Sequence, residues 1–279
     1  MAAPDALLET LNPDQRAAVT HTDGPLQVIA GAGTGKTRVL VARVAWLIAT
    51  GRARPEEICA LAFMNDAANQ IALRLRAVVG ETAARGVWAG TSHRLAAQLL
   101  RAQATRFGRD ASFSIWDEHD VDVALRDAIA ATRTGATNTG VSRVRARAHA
   151  RGRAERLRPP HRGHGAGETD DALLVAIAAY ERAKRVSSAF DFDDLLRYAV
   201  IALESDDDLR ARCGRRFAHV LVDEFQDLNP AQYRLAALLA ADHRRLTVLG
   251  DPRQAICAYR GATSAENFAA FATEFHDTA

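Results

Sequence analysis

Lysine is almost absent from this chain of 279 residues: Lys36 and Lys184 are the only two, and every other strongly basic side chain is arginine. An alanine- and arginine-rich composition is typical of a GC-rich genome, and we attribute the bias as a whole to that. The net charge of +2 is too small to indicate a nucleic-acid partner by itself. A lysine retained inside a glycine-rich loop, as Lys36 is, is therefore the more informative observation.

Cysteine is also scarce, and long apolar runs are missing. Cys59, Cys213 and Cys257 are far apart in sequence and form no CxxC pair. Their spacing argues against a disulfide framework or a zinc site and favours a reducing compartment. No apolar run approaches the roughly 18 residues of a membrane span, and the N-terminal segment lacks the pattern of a secretion signal. These absences predict a cytoplasmic protein with no membrane partner.

Strand-like apolar runs alternate with helical patterns along most of the chain, which predicts an α/β fold with a parallel sheet. Such sheets bind ligands at the carboxyl ends of their strands. The expected strands are 26–29, 58–63, 219–222 and 246–249. The expected helices are 38–48, 66–79, 92–105, one capped by Asp117, 170–185, 191–203 and one from the Asn229-Pro230 pair to Ala241.

The segment 132–168 differs from the rest of the chain in composition. It holds nine arginines, the pair Pro159-Pro160 and a single acid before Glu168. We interpret it as a mobile or partly helical basic arm. Two alternatives stay open: a solvated, poorly ordered loop, or a surface on which Arg143, Arg145 and Arg147 contact a phosphate backbone without sequence specificity.

The loop between the first predicted strand and helix reads AGAGTGKT. A phosphate chain needs converging N–H donors, a cation for the β and γ oxygens and a hydroxyl for Mg²⁺. Glycines let the backbone close around the phosphates, while Lys36 and Thr37 supply the cation and the hydroxyl. Ala30 is a mild departure from the glycine that opens this pattern. The predicted ATP-binding residues are Ala30, Gly31, Ala32, Gly33, Thr34, Gly35, Lys36, Thr37 and Arg38.

A second carboxylate site is expected at the end of a neighbouring strand, and the run from Val220 to Glu224 supplies it. Asp223 would hold Mg²⁺ through water, and Glu224 would orient and deprotonate the attacking water. An acidic pair after a strand is otherwise an ordinary helix cap with a surface acid. The presence of the phosphate-binding loop favours the functional interpretation.

The sequence Val222-Asp-Glu-Phe-Gln-Asp-Leu-Asn229 resembles motif II of the UvrD/Rep/PcrA-type superfamily 1 DNA helicases, a narrower match than an acidic pair alone. Further segments resemble the other motifs of that family, in the family's order. They are Leu11–Val19 for the Q motif, Ala30–Arg38 for motif I, Leu61–Ala68 for motif Ia, Gly90–His93, Phe190–Leu196 and Leu249–Ala262 for motif III.

The resemblance implies a RecA-like P-loop NTPase sheet with a mainly helical inserted subdomain. The core would comprise 1–100 and 190–279, and the insertion 101–189. ATP and Mg²⁺ are the implied cofactors. Gln15 would read adenine and Gln254 would sense the γ-phosphate, so that the catalytic set is Lys36, Asp223, Glu224 and Gln254. The implied contacts with single-stranded DNA are Phe63, Asn65, His93, Tyr259 and Arg260.

The DNA motifs depart from the family pattern more than the ATP motifs do. The departures are Ala62, Met64, Asp66, Ser92 and Cys257. Aromatic stacking contributes about 1–3 kcal/mol per base, so fewer platforms should weaken binding to single strands. The ATP site is therefore the firmer expectation.

The implied function is ATP-dependent translocation on single-stranded DNA, with 3′–5′ polarity and a role in DNA repair. We find no match to the motifs of the family's second RecA-like domain, so a second domain or a partner subunit is expected to complete the ATP site, and this chain alone should be weakly active or inactive. The alternative is an ATP-dependent or inactive DNA-binding switch without motor activity. A nuclease-fused subunit of the RecB type and an RNA substrate also stay open.

Overall fold

The protein is described from a computed structural model, and the structure describes residues 4–131, 168–254 and 264–278. Nearly all of the predicted basic arm, including Arg143, Arg145 and Arg147, lies outside these ranges, as do Tyr259 and Arg260. The chain divides into two compact units, the first formed by 1–95 with 200–279 and the second by 96–199. The boundaries expected from the sequence were 100/101 and 189/190.

The first unit is built on a five-stranded sheet in which every strand pairs in parallel with its neighbours. This sheet confirms the predicted α/β class. The third strand was not predicted, whereas the other four were. The strands are β1 (Leu26–Ile29), β2 (Ile58–Ala62), β3 (Trp88–Thr91), β6 (His219–Val222) and β7 (Leu246–Gly250).

The strand order is β1-β7-β6-β2-β3, so β7 lies between the strand before the glycine-rich loop and the strand before Asp223. Ile29 pairs with Gly250, and Val222 pairs with Val248. The expectation that Asp223 follows a strand next to β1 is therefore wrong. Because parallel strands end at one edge, the chain after β7 enters the site between the loop and the acidic pair.

Helices pack on this sheet because their apolar faces cover its buried strands. The core includes Leu40 and Val44 of one helix and Ile71 of the next, together with Ile58 and Leu221 from the sheet. The helices of this unit are α1 (Pro4–Leu8), α2 (Pro13–Thr20), α3 (Lys36–Ala49), α4 (Asn65–Val79), α5 (Glu81–Gly86), α10 (Asp207–Arg216), α11 (Pro230–Ala240) and α12 (Ser264–Glu274). No helix in the described ranges is long and apolar enough to cross a membrane.

Two helices of the first unit begin with the same N-terminal capping arrangement. Asn12 accepts a hydrogen bond from the backbone of Gln15, whose side chain accepts one from the backbone of Asn12. Asn229 and Gln232 repeat this reciprocal pair, and a proline follows each asparagine. Both caps satisfy N–H groups that the first helical turn leaves without partners.

The second unit is mainly helical and contains a two-stranded parallel sheet that was not predicted, formed by β4 (Ser114–Trp116) and β5 (Ala189–Asp191). Two helices, α7 (Glu118–Ala131) and α8 (Glu168–Val186), bury Leu125, Ile129 and Ile177 against each other. Asp117 caps α7 as expected, since its Oδ1 accepts hydrogen bonds from two backbone N–H groups.

Two further helices run across the limits between the units: α6 (Ser92–Arg101) and α9 (Phe192–Glu204). The helix expected over 92–105 therefore ends earlier, at Arg101, and a short 3₁₀ turn at Ala104–Phe107 follows it. Gly108 closes that turn with a φ of 67°, in the left-handed region that glycine adopts without strain.

Candidate functional site

The loop between β1 and α3 curls back on itself through two glycines. Gly33 and Gly35 have φ values of 73° and 92°, which a residue with a side chain rarely adopts. A Cβ at Gly35 would also lie 3.3 Å from Nε2 of Gln15. Gly35 caps α3 without a side chain, so the first-turn N–H groups of that helix stay available to an anion.

Lys36 is the first residue of α3, and its side chain is buried at 7% exposure. Its Nζ donates to the carbonyl oxygens of Ala30 and Gly31 at 3.1 and 3.4 Å. The same Nζ lies 3.9 Å from Oε2 of Glu224. The Lys36 ammonium is therefore held against the loop by two neutral carbonyl oxygens, and the Glu224 carboxylate lies at the limit of ion-pairing distance.

Thr37 and Asp223 are 186 positions apart in the chain, yet Thr37 Oγ1 donates to Asp223 Oδ2 at 2.9 Å. Asp223 is buried at 2% exposure. Burial raises the pKa of its carboxyl group, as does repulsion by Glu224, while the bond from Thr37 acts in the opposite direction. A hydroxyl and a carboxylate are therefore joined where β6 ends and α3 begins.

These two oxygens fit Mg²⁺ better than a metal that requires a full set of protein ligands. Within the described ranges, no group of three or more His, Cys, Asp or Glu side chains is arranged to hold a metal ion. Mg²⁺ prefers oxygen ligands and keeps several waters, so that one or two protein groups plus substrate phosphates suffice. Thr37 and Asp223 would be those groups.

Glu224 has a left-handed backbone, with φ 50° and ψ 49°, which is unusual for a residue with a side chain. Such conformations cost on the order of 1–3 kcal/mol and cluster at functional sites. A short 3₁₀ turn at Phe225–Asp227 follows at once. The turn directs the Glu224 carboxylate back toward the loop, where it lies near Lys36.

An aromatic cluster anchors this turn from behind. The ring of Phe225 is fully buried and lies 5.0 Å from Phe268, 5.6 Å from Tyr233 and 6.0 Å from Phe271, each in an edge-on arrangement. Edge-on aromatic pairs add about 0.5–1.5 kcal/mol beyond their buried area. This packing of α11 and α12 against Phe225 offsets the strain at Glu224.

Gln15 is bonded at both ends of its amide. Its Oε1 accepts from the backbone of Asn12 at 3.1 Å, and its Nε2 donates to the carbonyl of Thr34 at 2.9 Å. The side chain therefore braces the glycine-rich loop against α2, and adenine reading by Gln15 stays a prediction. Arg38 is exposed on the first turn of α3 and donates to the carbonyl of Thr10 at 2.8 Å.

Gln254 follows β7 in a short 3₁₀ turn at Pro252–Gln254. Its Nε2 donates to Oδ2 of Asp251 at 2.7 Å. Hydrogen bonds from Arg253 to Asp251, together with this one, lower the pKa of the Asp251 carboxyl to about 2. Gln254 therefore lies on the β7 side of the site, fixed to a carboxylate that stays ionised.

The described candidates for DNA contact lie at the ends of β2 and β3. Phe63 follows β2 and is half-buried, whereas Asn65 begins α4 and is exposed. His93 lies in the first turn of α6, and burial lowers its pKa. Since β2 neighbours β6 and β3 neighbours β2, these residues are on the same edge of the sheet as Asp223.

Sequence reasoning assigned no role to Gln226 or Asp251, which the structure joins to the site. Gln226 Nε2 donates to Glu224 Oε2 at 2.7 Å, and its Oε1 accepts from the backbone N–H of Asp251 at 3.0 Å. Their only signal was position. Asp251 directly follows β7, and Gln226 lies in the short turn that follows the acidic pair at the end of β6.

Residues 11–276 match the model of the UvrD/REP helicase N-terminal domain. The ATP-dependent DNA helicase UvrD1 of Mycobacterium tuberculosis is 38% identical over 287 residues, covering 98% of this chain and 37% of the relative. The UvrD1 helicase of Mycobacterium leprae is 35% identical, with 98% and 37% covered. The PcrA helicase of Staphylococcus epidermidis is 33% identical, with 92% and 35% covered. The chain thus spans little more than a third of these relatives.

Proposed function

The chain belongs to the UvrD/REP helicase family, and from that premise we propose that it forms the ATP-binding part of an ATP-dependent DNA helicase. The observation that carries the proposal is the 2.9 Å hydrogen bond between Thr37 and Asp223. It joins the glycine-rich loop to the acidic pair, as hydrolysis of a bound nucleotide requires.

Different residues of the loop bind different parts of ATP in this proposal. The N–H groups of 31–37 and the ammonium of Lys36 bind the β and γ phosphates. Thr37 and Asp223 would hold Mg²⁺, which would neutralise charge on those phosphate oxygens when bound. Gln15 and Arg38 lie beside the loop, where Gln15 would meet the adenine edge.

Glu224 is the proposed general base. It orients a water molecule and accepts its proton while the water oxygen attacks the γ-phosphorus. The bond from the γ-phosphorus to the β–γ bridging oxygen breaks, and the products are ADP and inorganic phosphate. Gln254, held by Asp251 at the end of β7, contributes contact with the γ-phosphate.

The partner we propose is single-stranded DNA, bound along the strand ends beyond the acidic pair. Phe63, Asn65 and His93 are the contacts within the described residues, and Tyr259 and Arg260 would add base contacts. An aromatic ring and an amide at neighbouring strand ends suit stacked bases and their edges. Translocation with 3′–5′ polarity is the motor activity proposed for the whole protein.

A second RecA-like domain, in the same protein or a partner subunit, would complete the ATP site. Arginine residues supplied from outside accelerate related NTPases by about 10³–10⁵-fold. The RecA-like core proposed for this chain corresponds to residues 1–100 and 190–279, with 101–189 as the insertion. We also propose a cytoplasmic location, supported by Cys59 and Cys213, which are both buried free thiols.

The decisive experiment is ATP turnover by this chain with and without single-stranded DNA, beside Glu224→Gln. We expect slow turnover that DNA stimulates and that Glu224→Gln removes, with nucleotide affinity retained. Turnover that survives in Glu224→Gln would exclude Glu224 as the base. Nucleotide binding without turnover in the unaltered chain would mean that the site awaits arginines from a second domain or partner subunit.

A further inference from the structure

We propose that Gln226 is a positioning residue for hydrolysis, which fixes the Glu224 carboxylate by tying it to the backbone N–H of Asp251. The proposal rests on the proposed role of Glu224 as the base. It assigns to Gln226 a function that acts through Glu224 and not through contact with the nucleotide.

The geometry of this bridge is specific. Gln226 is buried at 2% exposure, two residues beyond Glu224 in the 3₁₀ turn. Its Nε2 donates to Glu224 Oε2 at 2.7 Å, and its Oε1 accepts from the Asp251 N–H at 3.0 Å. The Glu224 oxygen that Gln226 contacts is also the one 3.9 Å from Lys36 Nζ. The carboxylate is therefore held between an amide and an ammonium.

At neutral pH the Gln226 amide satisfies both partners at once, whereas an ionised carboxylate could not. A carboxylate can only accept, and a backbone N–H can only donate, so position 226 must donate on one side and accept on the other. This requirement also fixes which end of the Gln226 amide is the nitrogen. An ionised glutamate at 226 would lose the donor and place a second negative charge against Glu224.

Gly250 supports the bridge by leaving room for it. A Cβ at position 250 would lie 2.4 Å from Oε1 of Gln226 and 3.2 Å from the backbone nitrogen of Phe225. Neither neighbour can easily move, because the amide oxygen is hydrogen-bonded to Asp251 and Phe225 is buried in its aromatic cluster. The end of β7 therefore approaches the turn closely enough for the amide to span the gap.

The bridge extends into a chain of hydrogen bonds that crosses the site. Gln254 donates to the Asp251 side chain, Asp251 donates through its backbone to Gln226, and Gln226 donates to Glu224. The proposed base is thus linked through Gln226 to the turn that carries the proposed γ-phosphate sensor. A shift of that turn would move the base as well.

The first test replaces Gln226 by leucine, which keeps the bulk and removes both hydrogen bonds. We expect kcat for ATP turnover to fall about 100-fold, as for a misplaced reacting group, with KM and nucleotide affinity changed less than about twofold. Gln232→Leu is the matched control, because Gln232 is also a buried glutamine at 4% exposure but serves the cap of α11. It should leave kcat near that of the unaltered chain.

The second test is Gln226→Glu measured between pH 8 and pH 5.5. When the introduced carboxyl is protonated, its O–H can donate to Glu224 while its carbonyl oxygen accepts from Asp251. The ratio of Gln226→Glu turnover to unaltered turnover should therefore rise as the pH falls. A merely structural glutamine would give a ratio that only follows the folded fraction of Gln226→Glu, which urea unfolding at each pH measures.

Failure of this inference is distinguishable from failure of the proposed function. If Glu224→Gln abolishes turnover but Gln226→Leu keeps normal kcat, Gln226 positions nothing and the inference is overturned. Hydrogen exchange at the Asp251 amide tests the bridge even where turnover is too slow to compare. Exchange should accelerate in Gln226→Leu and not in Gln232→Leu, and equal protection in all three proteins would overturn the proposal.

Discussion

The only two lysines of this chain are both buried, but they differ in what surrounds the ammonium group. Lys36, in the first unit, donates to two carbonyl oxygens and has one carboxylate, that of Glu224, at 3.9 Å. Lys184, in the second unit, is surrounded by three carboxylates: Asp194 at 2.6 Å, Asp191 at 3.0 Å and Glu181 at 3.0 Å.

The difference separates a lysine that can bind an anion from one that the fold has neutralised. Neutral carbonyls hold the Lys36 ammonium without cancelling its charge, so phosphate oxygens can still be attracted to it. The carboxylates around Lys184 cannot all ionise easily beside one ammonium, and burial with repulsion from Asp191 raises the pKa of Asp194 to about 6. Lys184 therefore stabilises the second unit, and the nearby carboxylates compensate its charge.

The largest effect should come from Lys184→Met, which leaves the buried Asp194 and two half-buried carboxylates without their cation. Breaking a buried ion pair from one side costs about 3–5 kcal/mol. We expect hydrogen-exchange protection of α8 and β5 to collapse by a corresponding factor, while nucleotide affinity stays unchanged. Near-normal protection in this variant would mean that the three acids are protonated and need no partner.

Lys36→Met, the matched substitution in the first unit, should give the opposite result. In the proposed site it removes charge-assisted bonds to phosphate of about 1.5–3 kcal/mol each, so we expect two such bonds to correspond to at least about 150-fold in affinity for ATP. Stability should change little, because the ammonium has only one distant carboxylate to leave behind. Calorimetric titration with Mg-ATP and thermal unfolding of the same samples measure both quantities.

The sequence predicted the sheet strands with strong apolar runs but not the weak ones. β1, β2, β6 and β7 consist mainly of apolar residues, so their positions could be predicted. β3 is as short as β1 and β6, but Gly90 and Thr91 are two of its four residues, so it presents no apolar run. β4 and β5 span three residues each, and only their mutual pairing defines them.

The candidate site divides in the same way. The phosphate-binding loop and the acidic pair are short sequence motifs, so their chemistry can be predicted from neighbouring residues alone. The bridge from Glu224 through Gln226 to Asp251 has no such pattern, because it depends on β7 lying between β1 and β6. Strand order is a property of the packed sheet, and no spacing in the sequence encodes it.

A third buried cation, Arg43, resembles Lys36 because its acceptors are neutral oxygens. It resembles Lys184 because it stabilises the fold. Its guanidinium donates to three carbonyls at the end of α2 and to the Thr247 hydroxyl, and burial lowers its pKa to about 10. The negative end of the α2 dipole stabilises the charge. Neutral acceptors around a buried cation therefore indicate an anion-binding site only where that cation also faces a phosphate-binding loop, as Lys36 does.

Arg43→Met should destabilise the first unit by about 1–3 kcal/mol, because several buried acceptors lose their donor. Hydrogen exchange should show the loss first in α2, which Arg43 ties to α3 and β7. Nucleotide affinity should fall less than in Lys36→Met, and only through Gln15, which braces the loop from α2. An affinity loss as large as that of Lys36→Met would mean that Arg43 belongs to the binding site.

The smallest effect on stability concerns Asp223, a buried carboxylate of the proposed site that accepts hydrogen bonds from Thr37 and from the backbone N–H of Glu224. Burial raises its pKa, so between the unfolded value of about 3.9 and the higher folded value the folded state binds more protons. Its contribution to stability therefore falls as the pH rises through that window, and the cost is complete above the folded pKa.

Asp223→Asn removes this titration and keeps an oxygen that can accept from Thr37. We expect the variant to match the parent in acid and to gain on the order of 0.5 kcal/mol at neutral pH, while Mg²⁺-dependent nucleotide binding is lost. Urea unfolding at several pH values, with and without Mg-ATP, measures both changes. A variant that is less stable than the parent at neutral pH would show that Asp223 serves the fold, as Lys184 does. A gain in stability with loss of binding would show that its burial is maintained for the site.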